Sequence, residues 1–172
     1  MTADQLRLRI REIPDHPKPG ILFKDITPLL GDPEAWRDAC EAMSKPWDGQ
    51  GITHVVAVES RGFLFGGAIA ARLRAGLVPV RKPGKLPFER SREEYALEYG
   101  TDALEMHVDA VGPTSRVIVV DDVLATGGTA GATVRLVERH GAVVVGCGFL
   151  IELSFLGGRA AVGKRVESVI TY

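Results

Sequence analysis

The apolar positions of this chain fall into two alternating kinds of segment. Residues 54–58, 77–80, 116–120 and 142–150 are short, rich in valine and isoleucine, and almost free of polar side chains. Such runs read as strands buried on both faces, the pattern of a parallel sheet. Residues 62–73 are rich in glycine and alanine and predict a helix that packs closely. Residues 129–140 place Ala130, Thr133, Val134 and Val137 on one helical stripe, with Gly141 as its stop. Strand and helix alternate. The spacing therefore predicts an α/β fold, a mainly parallel twisted sheet flanked by helices, in a single domain over residues 1–172. Ligands of such sheets gather beyond the C-terminal ends of the strands. Two stretches interrupt the alternation. Residues 13–33 are rich in proline and loop signals. Residues 82–102 combine Pro83, Gly84 and Pro87 with dense charge and read as a long loop, usually a functional or mobile feature inside a compact domain.

The strongest chemical signal follows the run Val117-Ile118-Val119-Val120. Two acids, Asp121 and Asp122, end the run; Ala125-Thr126-Gly127-Gly128-Thr129 then leads into the helix pattern. The glycines allow close approach of backbone N–H groups to an anion, and the helix N-terminus adds partial positive charge. The acids would repel that anion, so sugar hydroxyls and Mg²⁺-bound water are their natural partners. A turn that merely caps a helix is the plain alternative for the glycines taken alone. The string is not a Walker loop, because no Gly-Lys-Ser/Thr follows, and its glycine spacing is not the dinucleotide fingerprint. Glu59-Ser60-Arg61-Gly62-Phe63 follows the first run and so lies on the same sheet edge, where Arg61 could fork onto phosphate oxygens. Arg81, Lys82 and Lys85 follow the next run.

The string 117–129 resembles the phosphoribosylpyrophosphate (PRPP) motif of the phosphoribosyltransferases. Tyr95-Ala96-Leu97-Glu98-Tyr99-Gly100 and the segment 19–30 are similar to the closing loop and base-covering hood of the adenine phosphoribosyltransferases, and the resemblance runs from Ile13 to the last strand. It implies a type I phosphoribosyltransferase fold with a small N-terminal hood at 13–33 and a mobile catalytic loop at 82–102. It also implies the reaction adenine plus PRPP giving AMP plus pyrophosphate in purine salvage, Mg²⁺ bound mainly through PRPP and pyrophosphate without dedicated protein ligands, and a homodimer. The roles it implies are as follows. Ala125, Thr126, Gly127, Gly128 and Thr129 hold the 5′-phosphate. Asp121 and Asp122 face the ribose and steady its developing charge. Glu59, Ser60, Arg61, Arg81, Lys82 and Lys85 attend the pyrophosphate, with a non-proline cis peptide beside Ser60. Leu22, Phe23 and Lys24 contact adenine. Glu98 is the acid or base, and Tyr99 helps to close the site. Two positions depart from the family pattern: His16 stands where an aromatic residue is common, and Lys24 where arginine is common. A backbone contact at 24 survives either side chain.

Composition narrows the field further. With 25% charged residues and a net charge of −1, nothing points to nucleic acid or to an acidic membrane as partner. No apolar run is long enough to span a bilayer and the N-terminus lacks a signal-peptide core, so a cytoplasmic location is expected. Cys40 and Cys147 read as small buried hydrophobes, and His16, His54, His107 and His140 lack metal-ligand spacing. Two other readings share the PRPP motif. A 6-oxopurine phosphoribosyltransferase is opposed by the hood and the Leu-Glu-Tyr-Gly loop. A PRPP-sensing regulator is opposed by the presence of Glu98 and by the little sequence before Ile13 in which to fit a DNA-binding domain.

Overall fold

Burial on both sides is what the run at 117–120 meets in the computed structural model, which describes residues 1–96 and 100–172. Val117 and Val119 pack on one side with Leu136, Val137 and Phe149. Ile118 and Val120 pack on the other with Trp47, Phe65 and Ile69. The sheet between these two cores is fully parallel. Numbered in chain order, its strands are β3 (His54–Val58), β4 (Gly76–Val80), β7 (Arg116–Leu124), β8 (Val143–Glu152) and β9 (Val166–Thr171), laid side by side as β4-β3-β7-β8-β9. Helix α5 (Gly128–Arg139) covers the first face; α3 (Pro33–Ser44) and α4 (Gly62–Leu73) cover the second. Gly66 explains how close α4 comes: a Cβ there would lie 2.4 Å from that of Ala57 on β3. The α/β class, the parallel sheet and its flanking helices are as the sequence predicts.

The two interrupting stretches have structure of their own. In the first, β1 (Arg11–Ile13) and β2 (Phe23–Asp25) pair antiparallel, and α2 (Thr27–Gly31) leads to α3. Asp32 caps α3, accepting from the N–H groups of Glu34 at 3.0 Å and Ala35 at 3.1 Å. The second corrects the sequence reading. Residues 82–102 are not one long loop, because β5 (Arg90–Ala96) pairs antiparallel with β6 (Thr101–His107) as a hairpin. The signal was hidden because the inward positions of β5 include a carboxylate: Glu93 is buried, and it is neutralised by Arg135, at 2.7 Å, and by Arg139, both on α5. Hydropathy cannot register a strand whose buried face is closed by ion pairs with a neighbouring helix. The acids 121 and 122 also lie within β7, which runs on to Leu124, instead of beyond its end. Among the described residues no helix is long and apolar enough to cross a membrane.

Candidate active site

The ends of β3, β4 and β7 and the hood enclose a cavity of about 510 Å³. Its floor is Val58, Glu59, Ser60, Arg61, Asp121 and Asp122; Ile21, Leu22, Phe23 and Lys24 come from the hood side, and Lys82, Ala125 and Thr129 complete the rim. A smaller recess of about 90 Å³ adjoins it and shares Asp121, Val123, Ala125 and Thr129. Thr126, Gly127 and Gly128 bound this recess, so the whole predicted phosphate loop meets there. Gly127 precedes α5 with φ of 82° and no side-chain cap, which leaves the first N–H groups of the helix open to an anion. No other residue fits at Gly127: a Cβ would lie 2.3 Å from the carbonyl oxygen of Gly158, at the start of α6 (Gly158–Val162).

The peptide between Glu59 and Ser60 is cis, where the resemblance puts one; that between His16 and Pro17 is cis as well. Arg61 forms an ion pair with Asp122, and its guanidinium lies 5.8 Å from the centre of the Phe23 ring. Burial, with the charge of Asp122 adding to it, pushes the Asp121 carboxyl well above the usual carboxylate range. Gly62 permits that crowding, since a Cβ on it would lie 2.8 Å from Asp121 Oδ1. Two adjacent acids therefore sit in unlike settings: one is paired with a guanidinium, the other is desolvated against the start of α4.

The predicted cations divide into two groups. Arg61 and Lys82 line the cavity. Arg81 and Lys85 stand behind it, both bonded to Glu59, with Arg81 Nε 2.9 Å from Oε2. Burial opposes ionisation of Glu59, but the bonds from Lys85 and Arg81 outweigh it and hold that carboxyl below its ordinary value. An anion so occupied orients the two cations. Lys82 pairs with Asp102, and its Nζ donates to Tyr95 Oη at 3.1 Å.

On the hood, Phe23 lines the cavity and meets the His16 ring edge-on, centroids 5.1 Å apart. The Lys24 side chain turns the other way. It pairs with Glu12 and lies 3.8 Å from the centre of the Tyr172 ring, as strand alternation requires of a residue next to Phe23. Lys24 lines the cavity while its ammonium is engaged by Glu12 and Tyr172. Glu98 and Tyr99 lie outside the described residues. Sequence reasoning missed Val123 and Leu153, apolar walls of the cavity, and Asp102, which holds Lys82. An apolar wall residue carries no motif, and Asp102 is linked to Lys82 only through the hairpin that the sequence hid. The thiols of Cys40 and Cys147 are free, and burial raises both to about 12, so neither is a nucleophile here.

Comparison with known proteins agrees with this geometry. The phosphoribosyl transferase domain family matches residues 35–160. Over 170 residues the chain is 56% identical to the adenine phosphoribosyltransferase of Anaeromyxobacter dehalogenans, covering 98% of this chain and 99% of the relative. The crystal structure of the Rhodothermus marinus adenine phosphoribosyltransferase superposes with a TM-score of 0.94 at 56% identity, covering 99% of this chain and 98% of that one. The Saccharomyces cerevisiae enzyme, solved with adenine and an imino-altritol bisphosphate, gives 0.93 at 39% identity, with 98% of each chain covered.

Proposed function

The chain belongs to the adenine phosphoribosyltransferases of the type I phosphoribosyltransferase family, enzymes of purine salvage that join adenine to PRPP, and from that membership we propose how its cavity divides the work. The 5′-phosphate occupies the recess of Ala125 to Thr129, held by backbone N–H groups and the hydroxyls of Thr126 and Thr129. The ribose lies over Asp121 and Asp122. Glycosyl transfer passes through an oxocarbenium-like state, and the Asp122 carboxylate beside the sugar stabilises the charge that develops there. Pyrophosphate leaves toward Arg61 and Lys82, with Arg81 and Lys85 behind them and Glu59 holding those two in place. Ser60 offers backbone at the same turn.

Adenine enters between Phe23 and the apolar walls Val123 and Leu153, with the backbone at Leu22 to Lys24 reading its edge. Adenine in the yeast complex supports a base site of this kind. Glu98 takes the N9 proton or fixes the reactive tautomer, and Tyr99 helps the tip of the hairpin to exclude water. Mg²⁺ suits the site as an ion carried by PRPP and held mainly through its phosphates, with Asp121 and Asp122 within reach of its bound water and no dedicated protein ligand. When bound, it would neutralise the leaving pyrophosphate. A homodimer belongs to the reading as part of what membership of the family implies. We place the enzyme in the cytoplasm, in keeping with its two free thiols.

The observation that carries this reading is the junction of an N–H-lined recess with a cavity that holds paired acids and inward cations. Its test is a product assay with PRPP, Mg²⁺ and each of adenine, hypoxanthine, guanine and xanthine. AMP from adenine alone is expected. A 6-oxopurine nucleotide as main product would overturn the hood assignment, and PRPP binding without any product would favour a sensor.

A further inference from the structure

Tyr95 sits where the hairpin meets the phosphate loop. It is 6% exposed. Its ring lies against Gly128, with Cδ2 at 3.4 Å from where a Cβ on that glycine would stand. Its hydroxyl has three partners. Lys82 Nζ donates to it at 3.1 Å, it reaches Asp102 Oδ2 at 3.2 Å, and it shares a hydrogen bond with Thr129 Oγ1, also at 3.2 Å. Tyr95 and Asp102 face each other across the hairpin, one rung below the pair Ala96 and Thr101 that flanks the tip. One oxygen thus joins the phosphate loop, the inward lysine and the root of the tip that carries Glu98.

We propose that Tyr95 is a positioning residue whose hydroxyl couples filling of the phosphate recess to the placement of Lys82. The proposal rests on the assignment of Ala125 to Thr129 to the 5′-phosphate. A phenol has one proton to give. With the recess empty, the Thr129 hydroxyl donates to Tyr95 and Tyr95 donates to Asp102. A phosphate oxygen claims the Thr129 proton, so the Tyr95 oxygen loses that donor and accepts from Lys82 Nζ alone, while it goes on donating to the Asp102 carboxylate, the stronger acceptor. Lys82 is then held by Tyr95 and Asp102 together in one setting. No bond is broken in this exchange; only hydroxyl protons rotate.

The test is Tyr95→Phe, which keeps the ring and removes the oxygen. The expected result is a fall in kcat/KM for PRPP of about tenfold, the scale of one or two lost hydrogen bonds. The KM for adenine should stay within about twofold and the near-ultraviolet circular dichroism should not change, since substrate-specific effects separate positioning from loss of fold. Asp102→Asn should move the same parameter in the same direction. In a double-mutant cycle, Tyr95→Phe should cost less in a Thr129→Val background than in the parent. Strictly multiplicative effects, or a Phe variant equal to wild type, would overturn the coupling. Thr129→Val alone tests the underlying assignment: it must raise the KM for PRPP. Should it do so while Tyr95→Phe does nothing, the phosphate site stands and the coupling fails. Should it leave PRPP untouched, both fail.

Discussion

From Leu124 to Thr129 the recess is bounded by a strand-to-helix turn, with Gly127 locked under Gly158 and the start of α5 without a side-chain cap. Lys82 lines the cavity beside a hairpin that is held through side chains: Arg135 and Arg139 on Glu93, His140 on Ser91 at 2.8 Å, Lys82 on Asp102. The difference is instructive. A backbone cradle on a rigid strand-to-helix turn is set before any ligand arrives and suits a group that must bind the same way each time. A hairpin fastened along one helix by ion pairs depends on charged side chains at every hold, so its attachment can be loosened one residue at a time.

Variants on the two sides should therefore fail differently, and the largest effect belongs to the tip. Glu98→Leu should lower kcat by about 100-fold to 10,000-fold, the range for a lost acid or base, while PRPP affinity changes little. A variant with near-normal kcat would remove Glu98 from the chemistry. On the loop, Gly127→Ala forces a Cβ against the Gly158 carbonyl at a positive φ. It should lower kcat/KM for PRPP by about 100-fold, chiefly through KM; steady-state kinetics with unchanged KM would show that the loop does not carry the phosphate.

Smaller effects sharpen the contrast. Glu93 is held below its ordinary carboxylate value, Arg135 being the main cause, with burial opposing and Arg139 adding. A carboxylate of lowered folded value contributes stability above its unfolded value and loses it as the pH falls through the folded one. At pH 7, Glu93→Gln should lower Tm by about 3 °C for a loss of about 1 kcal/mol, because the arginines are half-exposed. The gap between variant and wild type should close as the solution is acidified below the ordinary glutamate range. A gap that stays constant in melting curves would show that the ion pairs do not fasten the hairpin. Smallest of all, Lys24→Met should leave the KM for adenine within about twofold, since the Lys24 ammonium lies on Glu12 and Tyr172. A large rise would mean that the side chain reaches the base.

The same contrast explains what could be read in advance. The run at 117–120, the acids and the glycines that follow declare a buried strand and an anion cradle, because backbone conformation restricts which residues can stand there. Arg61 and Lys82 could be assigned to the cavity because strand ends converge. The hairpin was illegible because Glu93 looks solvated in sequence and becomes buried only when Arg135 and Arg139 arrive from α5. For the same reason the sequence does not disclose that the Glu59 carboxylate is engaged by Arg81 and Lys85. Lys24 was placed at the base by its position, and only the pairing of β2 with β1 shows which way it turns.

The division of labour can be tested by removing the tip and keeping its root. Residues 97–100 would be replaced by Asn-Gly, which closes a two-residue hairpin between Ala96 and Thr101 and leaves Tyr95, Asp102 and Lys82 in place. PRPP binding by calorimetry and AMP formation would then be measured on the same preparation. The expected result is a PRPP Kd within about threefold of wild type and turnover reduced by at least about 100-fold, the loss of an acid or base. Loss of PRPP affinity in step with turnover would contradict the account, because the cradle would then not stand without the tip.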